Sequence, residues 1–320
     1  MMKAALRLVA VLLVLVVVAG VIFYTNPLWV SDQMLRFALW RQGVKSDSID
    51  AGGYRFHYFE AKPVQGEGTP LLLVHGLGAR AEDWSRMIPG LAAQGFHVYA
   101  PDLPGYGRSS RPADADYSIT MEEAAVVSFM QAVHLSRADI GGWSMGGWVV
   151  MKLALDHPEL VDRLVIYDSA GIYFPADFGS ELFVPSDAAG VHKLLDALTP
   201  IPRPMADFVM RDILRKMARG GWVVTRSVTA MAGGRDLLDF RLHNIRQPTL
   251  VVWGSVDRLI PLAIGEKIHS GIPNSSLAVV EGCGHLAPSE CAKPVIEATA
   301  SFLKAQPSMQ GGEKTYPAPY

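Results

Sequence analysis

The 320-residue chain is half apolar and close to neutral, with 29 Lys and Arg against 31 Asp and Glu and a formal net charge of −2. That balance, without a basic run, gives no electrostatic footprint for a nucleic-acid partner, and the length admits one large core or two modest ones. Two cysteines, Cys283 and Cys291, fit no zinc-ligand spacing; we read them as small buried thiols rather than as disulfide partners.

Residues 8–24 carry no charge, are crowded with Val and Leu, and follow Lys3 and Arg7. A helix over this stretch, extended toward Val30, is long enough to span a bilayer, so residues 1–30 are read as a single-pass membrane anchor. Small residues at Val18-Ala19-Gly20 suggest a cleaved signal peptide as the alternative. Apolar residues persist through Val21, Ile22, Phe23 and Tyr24, and Tyr24 and Trp29 suit an interfacial belt, which favours the anchor. Basic residues before the span (Lys3, Arg7) and after it (Arg36, Arg41, Lys45) nearly balance. A short basic amino end before an apolar stretch behaves as a signal anchor, pointing the rest of the chain out of the cytoplasm. Residues 31–47 form an amphipathic connector helix, with Met34, Leu35, Phe37, Leu39 and Trp40 apolar. It either lies on the membrane surface or packs on the globular part.

Beyond the connector, strand-like apolar runs alternate with helical patterns, the rhythm of an α/β protein with a mostly parallel sheet. Strands are expected at 48–50, 54–60, 71–74, 97–100, 138–141, 163–167, 249–253 and 277–280, the first two joined at Gly52-Gly53. Helices are expected at 81–94, 119–134, 145–156 and 264–270. The core thus occupies 48–171 and 246–306. Between them, 172–245 lacks a strand and is read as an inserted helical cap, cut into short helices by Pro175, Pro185, Pro200, Pro202 and Pro204, with Phe174, Phe178, Leu182 and Phe183 available to an apolar cleft. Residues 307–320 are expected to be disordered.

The chemistry concentrates at the carboxyl ends of the strands. Gly142-Trp143-Ser144-Met145-Gly146 is a G-x-S-x-G pentapeptide between a predicted strand and a predicted helix, whose glycines allow the sharp turn that lifts a serine hydroxyl to the sheet edge. A serine needs a base and a group to orient that base. His285, among Gly282, Cys283 and Gly284, and Asp257, after Gly254, each follow a strand and complete the order Ser, Asp, His. Asp168 is the reserve acid. Backbone N–H groups of Leu77, in the loop His75-Gly76-Leu77-Gly78, and of Met145 are assigned as oxyanion donors; His75 is taken as a brace for its loop.

With Leu72-Leu73-Val74-His75-Gly76, Asp102-Leu103-Pro104-Gly105-Tyr106-Gly107-Arg108-Ser109, Gly254 with Asp257 and Pro261, and Gly284-His285, the chain from about 49 to 303 resembles the α/β-hydrolases. The resemblance implies a sheet of about eight strands under a helical cap, and hydrolysis without metal or cofactor. Dehalogenases and epoxide hydrolases of that family carry Asp where this chain has Ser144, so ester chemistry is favoured. The anchor and cap are similar to membrane-bound monoacylglycerol lipases, giving a lipophilic small-molecule ester as the expected substrate and the membrane as partner. Carbon–carbon bond hydrolases of ring-cleavage products keep the same triad and remain the rival. Two other readings stay open: a dinucleotide loop at Gly76-x-Gly78-x-x-Ala81 with Asp102, and a binding protein with a silent triad.

Overall fold

The computed structural model describes residues 2–176, 178–201, 204–305 and 312–318. Helix α1 (Met2–Thr25) is apolar on every side and buries none of its residues in the protein. At 1.5 Å per residue it is about 36 Å long, enough for a hydrocarbon core of about 30 Å. Pro27, which has no N–H and a preset φ, ends that helix and opens the next. α2 (Pro27–Arg41) therefore starts earlier than the connector helix expected from 31, and its last residues give way to β1 (Lys45–Ala51). One face of α2 packs on the globular part, where Leu39 is buried; the other leaves Trp29, Met34, Phe37 and Trp40 exposed.

β1 and β2 (Tyr54–Ala61) form the expected hairpin through Gly52 and Gly53, both at positive φ. β3 (Thr69–Val74) follows. A 3-10 turn at Ala81–Trp84 and α3 (Met87–Ala93) then replace the single helix expected over 81–94. β4 (Phe96–Pro101) leads to α4 (Ile119–Ala132), whose amino end is capped by the Ser118 hydroxyl accepting the Met121 N–H at 3.1 Å. β5 (Ala138–Trp143), α5 (Met145–Asp156) and β6 (Val161–Tyr167) complete the first part of the core.

The cap holds α6 (Ala188–Leu198) and α7 (Asp207–Ala232). α7 is a single long helix because the prolines that break the cap lie before it; Pro202 lies outside the described residues. The chain then returns through β7 (Thr249–Gly254), α8 (Leu262–Gly271), β8 (Ser275–Val280), α9 (Ala287–Glu290), α10 (Ala292–Lys304) and β9 (Glu313–Tyr316).

The strand order is β1-β2-β4-β3-β5-β6-β7-β8-β9, parallel from β4 through β9, with β1 and β2 antiparallel at one edge. All eight expected strands are present. β9 is the ninth, and it corrects the reading of 307–320 as disordered: Glu313 to Tyr316 pair with the open edge of β8, and Tyr316 is buried. Residues 307–311 and 319–320 of that tail lie outside the described residues. The central strands are apolar without alternation because helices cover both faces. Leu72 and Val74 enter one core with Phe129, Trp148 and Trp253; Leu71 and Leu73 enter the other with Trp84, Tyr167 and Phe302.

Candidate active site

Ser144 sits at φ 57°, ψ −120°, a backbone conformation that an L-residue holds only under constraint. The constraint is close packing. A Cβ on Gly146 would run into the backbone carbonyls of Val74 and His75, and one on Gly142 into the backbone of Gly146. Only glycine on both sides permits the strand β5 to turn into α5 within one residue. The turn puts Ser144 at the carboxyl edge of the sheet and at the amino end of α5.

His285 and Asp257 arrive from the loops after β8 and β7. His285 Nε2 lies 3.0 Å from Ser144 Oγ, and its Nδ1 lies 2.8 Å from Asp257 Oδ2. The other Asp257 oxygen accepts the N–H groups of Leu259 at 2.8 Å and Ile260 at 2.9 Å, which fixes the carboxylate in its own loop. The Trp143 indole N–H donates to the His285 carbonyl at 2.8 Å, so the residue before the serine also holds the histidine's backbone. Both His285 and Asp257 are buried.

The structure corrects the reading of Cys283 and Cys291 as thiols. They form a disulfide with a Cα–Cα separation of 6.4 Å. The single turn of α9 folds the chain after His285 back on itself and brings the two residues within bridging distance, which a separation of eight in sequence does not reveal.

Asp168 is also here, fully buried and at φ 42°. Its Oδ1 accepts the Gly254 N–H at 2.7 Å, while Oδ2 has no partner among the described residues. Burial, and then the charge of nearby Asp257, push its pKa well above the ordinary carboxylate range. The hydrogen bond from His285 goes to Asp257 rather than to this residue.

The loop 75–81 runs beside the serine, with Gly76 close enough that an added Cβ would meet Ser144 Cβ at 2.9 Å. His75 is buried; its Nε2 accepts the Leu103 N–H at 3.0 Å, so its Nδ1 carries the proton and donates to the Gly76 carbonyl at 2.8 Å. Burial lowers its pKa and keeps it neutral in this bracing position. Among the described residues no protein acceptor takes the N–H of Leu77 or of Met145. The dinucleotide reading of the loop finds no geometric footing. The glycines lead into a short 3-10 turn rather than a helix, and the Asp102 carboxylate is already engaged by His57 Nδ1 at 2.7 Å, Ala81 N–H at 2.7 Å and Arg108 N–H at 2.9 Å.

A cavity of about 270 Å³ opens over Ser144 and His285, walled by Leu77 and Leu259 from the core and by Phe183, Leu194, Leu198 and Met217 from the cap. Of the cap residues expected at a cleft, Phe183 lines it. Phe178 packs edge-on against Phe183 at 5.6 Å, Leu182 is buried in the core, and Phe174 packs against that core. No group of three or more His, Cys, Asp and Glu side chains placed to hold a metal ion occurs among the described residues.

Comparison with known proteins agrees with this architecture. A profile of the alpha/beta hydrolase fold matches residues 69–197. The chain is 32% identical to a 2-hydroxymuconate semialdehyde hydrolase of Pseudomonas putida over 80% of this chain and 92% of the relative. It is 30% identical to Lipase 3 of Moraxella sp. (strain TA144) over 82% and 84% of the two chains. Among solved structures, a membrane phospholipase A, a bacterial virulence factor, superposes with a TM-score of 0.78 at 28% identity, covering 93% of this chain and 97% of that one. A relative 32% identical, covered over 92% of its length, together with the matching fold profile, shows that the chain belongs to the α/β-hydrolase fold family.

Proposed function

We propose that the protein is a serine hydrolase that cleaves lipophilic carboxylic esters, monoacylglycerols or similar acyl esters, through an acyl-enzyme on Ser144. The observation that carries this reading is the continuous relay from Ser144 Oγ to His285 Nε2 at 3.0 Å and from His285 Nδ1 to Asp257 Oδ2 at 2.8 Å. His285 takes the serine proton as Oγ attacks the ester carbonyl, Asp257 orients the ring and stabilises the imidazolium, and the N–H groups of Leu77 and Met145 receive the oxyanion. The protonated histidine then gives its proton to the departing alcohol. Water, deprotonated by the same histidine, attacks the acyl carbonyl and releases the acid and the free serine.

The apolar cavity walls and the bilayer-length α1 support a lipophilic substrate and a membrane-anchored enzyme. The Cys283–Cys291 disulfide supports a catalytic domain outside the cytoplasm, where such bonds persist. A fluorophosphonate probe tests the nucleophile: labelling is expected at Ser144, and folded protein that takes no label speaks for a binding protein instead. A panel of p-nitrophenyl esters tests the substrate class, and a steep preference for acetate over decanoate would count against a lipophilic pocket.

Carbon–carbon bond hydrolysis is the second reading, favoured by the likeness to the 2-hydroxymuconate semialdehyde hydrolase. Loss of that compound's absorbance on incubation with the enzyme, faster than turnover of any ester, would establish it in place of the first.

A further inference from the structure

A second and larger cavity, of about 660 Å³, lies beside the catalytic one. Gly78, Ala79, Phe183, Met217 and Val224 line both, so the two share one wall. It is also lined by Asn26, Leu28 and Trp29, the residues where α1 turns into α2. That junction is tied to the cap helix α7. Arg215 donates to the Thr25 carbonyl at 2.7 Å, Arg211 to the Tyr24 hydroxyl at 3.0 Å, and the Leu28 N–H to Asp212 at 3.1 Å. Phe208 stacks on Tyr24 at 5.3 Å. The exposed Trp29, Met34, Phe37 and Trp40 continue the apolar surface of α1 along α2. With α1 in a bilayer, this face and the cavity mouth beside it lie at the headgroup level.

The cavity differs from the catalytic one in charge. Arg80, Arg111, Arg215, Lys216 and Arg219 line it, against Asp32 and Asp212. The two acids are taken by Arg80 and Arg215. Among the described residues Lys216 and Arg219 form no ion pair; Asp32, Asp83 and Glu82 act on Lys216 only at longer range, so five basic side chains against two acids leave the lining net positive.

Resting on the ester-hydrolase reading, we propose that this cavity is an interfacial subsite for the anionic head group of a membrane amphiphile, whose acyl ester then reaches Ser144 across the shared wall. The catalytic cavity alone, about 270 Å³, falls just below the usual range of ligand pockets, roughly 300 to 1,000 Å³. The second supplies room and countercharge for the polar end. Phosphate is the anion whose shape and charge best use neighbouring Lys and Arg donors.

The test uses the full-length protein in Triton X-100 mixed micelles, with two substrates of the same acyl chain: 1-decanoyl-glycerol-3-phosphate and neutral 1-decanoylglycerol. The wild type is expected to show a kcat/KM at least tenfold higher on the phosphate ester. Lys216→Gln with Arg219→Gln should abolish that preference, mainly through KM, while rates on decanoylglycerol and on p-nitrophenyl butyrate stay within twofold. Equal rates on the two lipids, or equal loss on both in the double variant, would overturn the proposal. So would inhibition of decanoylglycerol hydrolysis by millimolar inorganic phosphate without any lipid preference, which marks a site for the free anion. Failure of the ester-hydrolase reading is separable, since p-nitrophenyl butyrate would then not be turned over by the wild type at all.

Discussion

The guanidinium of Arg80 holds the carboxylate of Asp32 through two hydrogen bonds, Nη1 to Oδ2 at 2.9 Å and Nη2 to Oδ1 at 2.5 Å. Arg80 lies three positions after Leu77 in the same loop, and Asp32 belongs to α2, outside the catalytic core. A second ion pair, Arg36 Nε to Glu82 Oε1 at 2.9 Å, runs in parallel. The helix that leaves the membrane-length segment therefore clamps the backbone that presents the proposed oxyanion donor. Bidentate pairs of this kind fix orientation as well as distance.

That clamp gives a first prediction. Asp32→Ala should lower kcat on p-nitrophenyl butyrate by roughly 3- to 10-fold with little change in KM, since a small displacement of an oxyanion donor weakens the transition state more than the ground state. Asp32→Glu should restore part of the loss. A variant that only loses thermal stability, with kcat intact, would show that α2 is structural and nothing more.

The relay predicts a graded series. Ser144→Ala should reduce kcat by roughly a million-fold, the scale seen when one member of a triad acting as a unit is removed. Asp257→Asn should cost roughly a thousand- to ten-thousand-fold, because the amide favours the wrong imidazole tautomer. Asp168→Asn should leave kcat within about threefold, because burial and the charge of Asp257 disfavour its ionised form and an amide oxygen can still accept from Gly254. Steady-state kinetics on one ester decides all three; a large loss at Asp168 with little at Asp257 would exchange their roles.

The disulfide closes a short loop around His285. In the chain-entropy picture a crosslink of this span contributes roughly 2 to 3 kcal/mol. The Cys283→Ser, Cys291→Ser double variant should accordingly melt about 3 to 5 °C lower. Because the bond also pins the segment that carries the imidazole, kcat should fall with it when measured well below the melting temperature. Unchanged kcat at 15 °C would separate the bond's thermal role from any part in holding the base.

Features set by a few consecutive residues were readable without coordinates, and features set by contact were not. Gly142, Ser144 and Gly146 announce the elbow because only glycine tolerates the close approach of Val74 and His75, and the apolar runs of β3 through β8 are long enough to be recognised as strands. β9 gives no such signal: Glu313 to Tyr316 is mostly polar, and it is a strand only because β8 offers an unpaired edge. The pairing of Cys283 with Cys291 depends on the turn of α9. The neighbourhood of Asp168 and Asp257 likewise comes from β6 and β7 lying side by side, so sequence leaves two acids eligible where hydrogen bonding separates them. The face of α2 that meets the core follows from ion pairs with Arg80 and Glu82, partners about fifty residues away.

A last prediction concerns pH and lies away from the site. Asp139 is buried in the central strand β5, where the pairing with β6 shifts register, and burial followed by the charge of Asp162 pushes its carboxyl up to about 7. The unfolded chain would titrate it near 3.9. Between those values the folded state holds a proton that the unfolded state has released, so stability falls as pH rises. The contribution is fully present below about 4 and fully lost above the folded pKa of about 7. Asp139→Asn removes the titration while keeping the side chain's shape. Relative to wild type it should gain little at pH 4 and up to about 3 kcal/mol at pH 8, read from urea unfolding at both pH values. A gain of equal size at both would show that the carboxyl is not titrating in this range and that packing alone separates the two proteins.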